Sequence, residues 1–335
     1  MERQAMRSDP FRFFRLSQLP LLSLLTIPFF TRAQSVPSEL AAQRQLFPEG
    51  STHGTWALKE GPAGTLYVLY RGVPTSSVWV TDYSGISPRM IVSTAEYPEL
   101  RTPRDLAVDR DGNVIVLNGD GLIKIFSGEG KPLASFQADR PLAVAVQSNG
   151  RILVSGFPRD HLISIYNREG KLLEEVGEPT KVDAKDGFNR RIMNIGSIAV
   201  DEEDNIYYVF RNLLTPMVRK YTPNGKLVAE WHVEGADLSW VVAKAAQQLQ
   251  KNEESGEHGV VSVLTSAVFD NDTKTLWLGS NQHLFQLDSS GHLIRNLTLT
   301  TAEGRPAQAF GLAVNADFLC AAGPFQGTVE FIKPK

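Results

Sequence analysis

The fold of this chain is decided by the stretch LAVDRDGNVIVLNGDGLIKIFSGEGKPLASF, residues 106–136. Runs of β-branched and apolar residues alternate there with turns that are rich in Gly, Asn and Asp. The four runs are Asp105–Asp109, Val114–Leu117, Leu122–Phe126 and Pro132–Phe136. Such runs with such boundaries are typical of antiparallel strands joined by tight hairpins. The stretch therefore predicts one four-stranded antiparallel sheet.

The same unit recurs along the chain. Each copy has a small residue in its first predicted strand, and five copies have a turn with glycine between two of their later strands. The small residues are Ala57, Ala107, Ala145, Ala199, Val268 and Ala313. Radial repetition of four-stranded sheets is the signature of a β-propeller. We therefore predict an all-β fold, a six-bladed β-propeller, with blades near 54–92, 104–138, 141–177, 196–233, 263–300 and 308–335.

The last predicted blade lacks a strand. Thr328–Lys333 is its third strand, and the sequence ends at Lys335. A spare apolar stretch at residues 43–48 is predicted to supply the outermost strand of this blade. Closure of this kind removes an open sheet edge that would invite aggregation. An open ring with a ragged last blade is the alternative.

Two insertions interrupt the repeat, Glu178–Ile195 and Glu234–Val261. Both connect an outer strand to the next inner strand, so both are expected on one face of the propeller. The second insertion predicts a short helix over Asp237–Lys251, with Asp237 or Ser239 as its N-cap. Its apolar stripe consists of Leu238, Val241, Val242, Ala245 and Leu249. We expect this helix, with Trp240 beside the stripe, to cap the channel mouth near Arg190 and Arg191.

The first residues have the order of a secretory signal peptide: basic residues, then the apolar run Leu19–Phe30, then Thr31-Arg32-Ala33. We predict a signal peptide over residues 1–33, cleavage after Ala33, and export to the periplasm or the medium. An uncleaved anchor is the alternative. Residues 1–33 carry five Arg and two acidic residues, so cleavage changes the net charge from −3 to −6. This acidic balance argues against nucleic acid as a partner.

Motifs of known catalytic chemistry are absent from the sequence, which has no nucleophile elbow, HExxH, paired CxxC or P-loop. The six histidines are scattered. Cys320 is the one cysteine, so no disulfide can form within the chain, and its apolar surroundings predict a buried thiol rather than a nucleophile. We predict no cofactor, no metal, no transmembrane segment in the mature chain, and a monomer.

The phrases LAVDRDGNVIV (106–116) and IAVDEEDNIYYV (198–209) resemble NHL repeats. The resemblance covers most of the mature chain and is strongest in blades two to four. It implies a six-bladed propeller. NHL-type propellers bind proteins, nucleic acid or small molecules, and a few relatives are enzymes, so the resemblance implies little about activity.

Calcium-dependent lactonase propellers of the gluconolactonase type are the natural enzymatic comparison, because Glu60-Gly61-Pro62 resembles their first motif. Alignment of the repeats makes Lys59 the counterpart of Asp109, so Glu60 is expected in the turn after the inner strand. No matching inner Asn and Asp set is evident. Asp109, Asp201 and Asp270 share one repeat position and are expected to cap the first turn of their blades.

Arginines precede almost every inner strand, and they are the candidate ligand-binding residues together with Trp240: Arg101, Arg104, Arg140, Arg190, Arg191 and Arg305. Guanidinium groups hold carboxylate, sulfate or phosphate through paired hydrogen bonds. Alternatively, these arginines pair with Asp105, Asp109 and Asp201 and staple neighbouring blades.

We favour a non-catalytic recognition propeller over an enzyme. Its expected partner is an envelope protein segment, or an anionic small molecule or glycan, bound at the decorated channel mouth. A metal-dependent hydrolase or lactonase that uses the channel is the alternative. A scaffold whose blade edges matter more than its channel is the third possibility.

Overall fold

The computed structural model describes residues 38–46, 54–72, 74–83, 85, 88–324 and 326–334. The predicted signal peptide (residues 1–33) and the last two residues of the predicted closing strand, 47 and 48, lie outside the described residues. No helix within the described ranges is long and apolar enough to cross a lipid bilayer.

Two short strands precede the blades, β1 (Ser38–Ala41) and β2 (Arg44–Gln45). The first three blades contain β3 (Gly54–Gly61), β4 (Thr65–Arg71), β5 (Ser77–Asp82) and β6 (Arg89–Ser93); β7 (Pro103–Val108), β8 (Val114–Asn118), β9 (Leu122–Phe126) and β10 (Pro132–Gln137); and β11 (Pro141–Val146), β12 (Ile152–Gly156), β13 (Ile163–Tyr166) and β14 (Leu172–Val176).

The last three blades contain β15 (Gly196–Val200), β16 (Ile206–Phe210), β17 (Met217–Tyr221) and β18 (Leu227–His232); β19 (Ser266–Asp270), β20 (Thr275–Ser280), β21 (His283–Leu287) and β22 (Leu293–Thr300); and β23 (Gly311–Val314), β24 (Phe318–Gly323) and β25 (Gln326–Ile332). The first strands of the six blades contact one another in a closed ring. The protein is therefore an all-β six-bladed propeller, as predicted.

The chain start closes the ring. Strand β2 pairs antiparallel with β25 as the fourth strand of the last blade, which confirms the predicted closure at Arg44–Gln45. The Arg44 guanidinium also donates to the Glu330 carboxylate at 3.0 Å and to the Tyr83 carbonyl at 2.9 Å. Strand β1, which was not predicted, runs parallel to β22 as a fifth strand of blade five. One segment thus binds two blades together, and the open ring is wrong.

Small inner-strand residues pack where the blades converge. Ala107, Ala145, Ala199 and Ala313 are all buried, as the repeat predicts. Large apolar residues such as Phe126 and Trp277 fill the space farther from the axis, within clusters that join neighbouring blades. Because each cluster draws on two blades, no blade buries its apolar faces alone.

The two insertions contain the two helices of the described chain. Helix α1 (Gly187–Met193) was not predicted; its N-cap Asp186 accepts a hydrogen bond from Asn189 N at 2.7 Å. Helix α2 (Ala236–Ser255) lies between blades four and five, as predicted, but is longer. Its predicted N-cap is wrong: Gly235 precedes the helix without a side-chain cap, and Asp237 instead accepts a bond from Asn296 Nδ2 at 2.5 Å.

The second insertion lies next to the insertion that carries Arg190 and Arg191, as predicted. Lys185 N donates to Glu253 Oε1 at 2.9 Å, and the rings of Phe188 and His258 lie 4.1 Å apart. These contacts join the α1 segment to the end of α2 and the loop after it. Both insertions therefore lie on the face where the inner strands begin.

Candidate functional site

Two cavities lie along the axis of the ring. One, of about 300 Å³, is lined by residues near the start of the inner strands, and the other, of about 220 Å³, by residues near their ends. Four residues line both cavities: Lys59, Ile198, Ala267 and Leu312. We call the first the basic mouth, because Lys59, Arg104 and Arg211 line it with Asp105. The second, which Glu60 lines, is called the opposite mouth.

Bulges in three inner strands shape the basic mouth. The pairing registers of β3, β7 and β11 each shift by one residue near the strand start. The extra residues are Trp56, Arg104 and Leu142, and all three line the cavity. A β-bulge turns a side chain away from the regular alternation of a strand. The inner strands of the other three blades pair without such a shift.

Arg211 reaches the basic mouth from the second strand of blade four. It follows β16, and its backbone N–H donates to the Ile195 carbonyl at 2.8 Å. Its Nε atom is buried and has no hydrogen-bond partner among the described residues. Burial lowers the pKa of the Arg211 guanidinium, and the nearby charge of Asp105 opposes that shift. An arginine stays charged in proteins, so a cation with unused donor capacity lines this cavity.

Asp105 is the one carboxylate among the residues that line the basic mouth, and its hydrogen bonds are already made. Its two oxygens accept from Leu106 N at 2.9 Å and from Val144 N at 3.0 Å. Lys59 Nζ lies 4.0 Å away. Asp105 therefore offsets one of the three cationic groups and leaves the mouth positive.

Arg71 stands behind Trp56 at the same mouth. Its guanidinium carbon lies 4.2 Å from the centre of the Trp56 ring, a cation–π contact. Burial, and then the like charge of Arg104, lower the pKa of Arg71. Two guanidinium groups are thus held close enough to repel each other at the rim.

Sequence patterns alone missed Arg71 and Arg211. One signal for them exists, because LYVLYR (66–71) and IYYVFR (206–211) place an arginine at the same point of two second strands. The bulged residues Trp56 and Leu142 leave no comparable signal, since a bulge depends on how strands pair.

Of the predicted arginines, only Arg104 lines the basic mouth. Arg140 lies 5.8 Å from the Phe157 ring, Arg190 donates to the Ala184 carbonyl at 2.8 Å, and Arg305 lies 3.6 Å from Glu303 beside the N-terminal strands. Arg101 and Arg191 lie outside the lining as well. The contact of these arginines with a ligand stays a prediction.

Stapling between blades does occur, by a different arginine. Arg168, in the turn after β13, pairs with Asp109 of the neighbouring blade at 2.6 Å. The capping role of the repeated aspartates is confirmed. Asp109 Oδ1 accepts from Asp111 N and Asn113 N, and Asp201 Oδ1 accepts from the matching two amides of its own turn.

Trp240 lies on α2, away from both axial cavities. It is 58% exposed, and Lys244 Nζ lies 4.0 Å from its ring centre. The buried side of α2, Leu238, Val241 and Ala245, packs in the cluster shared by blades four and five. No α2 residue is among those that line the basic mouth. The helix therefore covers the blades beside the mouth and does not cap it.

Glu60 lies in the inner strand, so its predicted place in the turn is wrong. Gly61 pairs with Thr65 across the turn, as Asp109 bonds to Asn113. Gly61 is therefore the counterpart of Asp109, because blade one turns through Pro62–Gly64 without the capping aspartate. Partial desolvation at the channel wall, followed by the charges of Asp272 and Asp270, raises the pKa of Glu60 to about 7 against the opposing charge of Lys333, although the side chain still reaches solvent.

The acids near Glu60 are held by the fold. Lys333 Nζ lies 3.0 Å from Asp270 and 3.6 Å from Asp272, and Lys333 and Asp270 are buried. Among the described residues, no group of three His, Cys, Asp or Glu side chains is placed to hold a metal ion. Cys320 is buried as predicted, and burial raises the pKa of its thiol.

No family model matches this chain, and no curated protein matches it. Among solved structures, a chain in the crystal structure of a nidogen/laminin complex is similar, with 12% identity, a TM-score of 0.48, and 73% of this chain and 80% of that chain covered. A protein of unknown function from Bacteroides caccae has 13% identity, a TM-score of 0.46, and coverage of 75% and 84%. Likenesses at this level carry no inference about function.

Proposed function

We propose that this protein is a binding propeller that holds an anionic group in the basic mouth of its channel. The observation that carries the proposal is the Arg211 guanidinium: Arg211 lines the cavity, and its buried Nε atom has no partner in the described chain. Leaving a buried donor of a charged group unpaired is costly. A bound carboxylate, phosphate or sulfate would supply the missing acceptor.

Charge balance supports an anion over a neutral ligand. Lys59, Arg104 and Arg211 line the mouth, and Asp105 already accepts two backbone hydrogen bonds. The cavity volume of about 300 Å³ is at the lower end of the range for small-molecule sites. The ligand is a small acid or the acidic end of a protein segment, met outside the cytoplasm if residues 1–33 direct export.

Calorimetric titration with inorganic phosphate, acetate and sulfate tests the proposal. We expect binding to weaken by about tenfold or more in Arg211→Gln, because each tenfold corresponds to about 1.4 kcal/mol and a charged hydrogen bond is worth about 1.5–3 kcal/mol. Arg110→Gln is the matched control, since Arg110 is exposed and lies outside the cavity lining. Equal weakening in both variants, or no binding of any of the three anions, would refute the site.

Hydrolysis in the channel is the second candidate function, because Glu60 lies in an inner strand and its pKa is raised to about 7. A carboxyl group that titrates near neutral pH suits proton transfer. The calcium site of gluconolactonase-like propellers does not fit here, since the Asp270 oxygens accept backbone hydrogen bonds and pair with Lys333. Turnover of simple lactones that is lost in Glu60→Gln would support this candidate, and equal turnover would remove Glu60 from it.

A further inference from the structure

The bulged residues of three neighbouring blades form one half of the basic mouth. In order around the ring they are Trp56, Arg104 and Leu142, so a cation lies between two apolar side chains. Each is the extra residue at a register shift near the start of its inner strand. Because a bulge at this place recurs in all three blades, three different side chains are turned toward the same space.

The other walls of the cavity present few polar groups that need a hydrogen-bond partner on a ligand. Phe310, Leu312 and Ile198 supply apolar surface. The Thr265 and Ser266 hydroxyls both donate to the Ala309 carbonyl, at 2.7 and 2.6 Å, so their protons are already used. Apart from the Ser197 hydroxyl, the open hydrogen-bond donors of the cavity side chains therefore belong to its cations.

Trp56 packs against a neighbouring side chain although it is 39% exposed. Arg71 lies against its ring at 4.2 Å. The same indole lines the cavity, so part of its surface is left for a ligand. Large aromatic surface that stays partly exposed at a cavity wall suits stacking with a flat apolar group.

We propose that the bulged half of the basic mouth selects amphiphilic acids: a carboxylate or phosphoryl group held by Arg104 and Arg211, on a flat apolar body that lies between Trp56 and Leu142. This inference rests on the proposed function, since it requires an anion in the cavity. It adds the chemical class of the body that carries the charge. A bare inorganic anion would leave Trp56 and Leu142 without a role.

Two pairs of probes test the class by calorimetric titration: inorganic phosphate against phenyl phosphate, and acetate against phenylacetate. We expect each phenyl compound to bind about tenfold or more tightly than its parent anion, because burial of an aromatic ring has roughly that value. The pair with the larger absolute affinity identifies the preferred oxyanion. Phenyl compounds no tighter than their parents would overturn the inference but leave the proposed function standing. Failure of all four probes would overturn both.

Amino-acid substitutions show which residues cause the tighter binding of the phenyl compounds. Trp56→Ala should remove most of the phenyl advantage and leave the parent anions unchanged, whereas Trp56→Phe should keep it. Arg104→Gln should weaken phenyl compounds and parents alike, and Arg104→Lys should restore part of the loss. Leu133→Ala and Arg110→Gln are matched controls, because both residues are exposed and lie outside the cavity lining. Thermal unfolding and circular dichroism check that each variant folds; an undiminished phenyl advantage in folded Trp56→Ala would overturn the role of Trp56.

Discussion

The two ends of the channel are built from the same six inner strands yet differ in kind. Beside the opposite mouth the buried Asp270 is satisfied: it accepts from its turn and pairs with Lys333. At the basic mouth Arg211 Nε has no partner in the described chain, and Arg71 and Arg104 repel each other. Charged groups that have hydrogen-bond or ion-pair partners within the protein stabilise the fold. Charged groups without such partners are available to a ligand. The comparison assigns Asp270 to stability and Arg211 to binding.

Strand geometry explains the difference. At the opposite mouth each inner strand ends in a turn, and a turn needs hydrogen-bond acceptors such as Asp109 and Asp201 for its amides. At the basic mouth the inner strands begin, and bulges turn Trp56, Arg104 and Leu142 toward the axis. Side chains there are not needed to close a turn.

The largest expected effect separates the covering helix from the basic mouth itself. Replacement of residues 236–258 by a short Gly/Ser linker removes the buried Leu238, Val241 and Ala245. We expect the free energy of unfolding to fall by about 3–6 kcal/mol, from the lost burial of these side chains. Phosphate binding should persist, because α2 does not line the cavity. Urea unfolding and calorimetric titration measure the two effects. Loss of phosphate binding in a folded deletion variant would show that α2 contributes to the binding site.

The second prediction removes the ion pair beside the opposite mouth. Lys333→Met leaves Asp270 buried without its cation. Removal of one partner of a buried ion pair costs about 3–5 kcal/mol, so we expect a loss of that order in urea unfolding. Lys131→Ala is the control, because its exposed pair with Glu129 should be worth about 0–1 kcal/mol. Similar losses in the two variants would contradict the structural role of Asp270.

The third effect sharpens the assignment of Arg211. Arg211→Met removes a partly buried cation whose Nε atom is buried and unpaired in the described chain. We expect the free energy of unfolding to rise by about 1 kcal/mol, while phosphate binding weakens. Arg168→Met should lower the free energy of unfolding, because it takes a partner from the buried Asp109. It should leave phosphate binding unchanged, because Arg168 lies outside the basic mouth. A loss of stability in Arg211→Met would show that Arg211 serves the fold.

Sequence patterns predicted the parts of this molecule that repeat. Strand alternation, glycine turns and the small inner residue are local features, so the six blades and the closing strand Arg44–Gln45 could be read from them. The α2 stripe is also local, with a period that fits a helix. Position at the axis is not local: it depends on the strand register, which bulges at Trp56 and Arg104 shift by one residue. Arg211 was missed because it follows the second strand of its blade and does not precede an inner strand, and five of the six predicted arginines lie off the cavity wall.

Glu60 was misplaced for the same reason. Trp56–Lys59 resembles the repeated Leu106–Asp109 in its letters, but pairing sets Gly61, two residues later, opposite the next strand. Blade one has no capping aspartate, so its amino-acid sequence does not indicate where the inner strand ends. Only the hydrogen-bonded register places Glu60 at the channel wall.

The smallest expected effect is a pH dependence at Glu60. The pKa of Glu60 is raised from 4.5 to about 7 in the folded protein, so between these values the folded state binds more protons than the unfolded state. Stability must then fall as pH rises through this window and level off above it. Because the side chain reaches solvent in the channel, we expect screening to limit the effect to about 1 kcal/mol.

Glu60→Gln removes this titration, since an amide does not ionise. The variant should match the wild type at pH 4.5 and exceed its free energy of unfolding at pH 8, as measured by urea unfolding at both values. Glu169→Gln, in an exposed turn, should follow the wild type at each pH. A Glu60→Gln variant less stable than the wild type at pH 8 would mean that the ionised carboxylate is held by a favourable partner. The opposite mouth would then be a paired, structural end throughout, and the contrast with Arg211 would be complete.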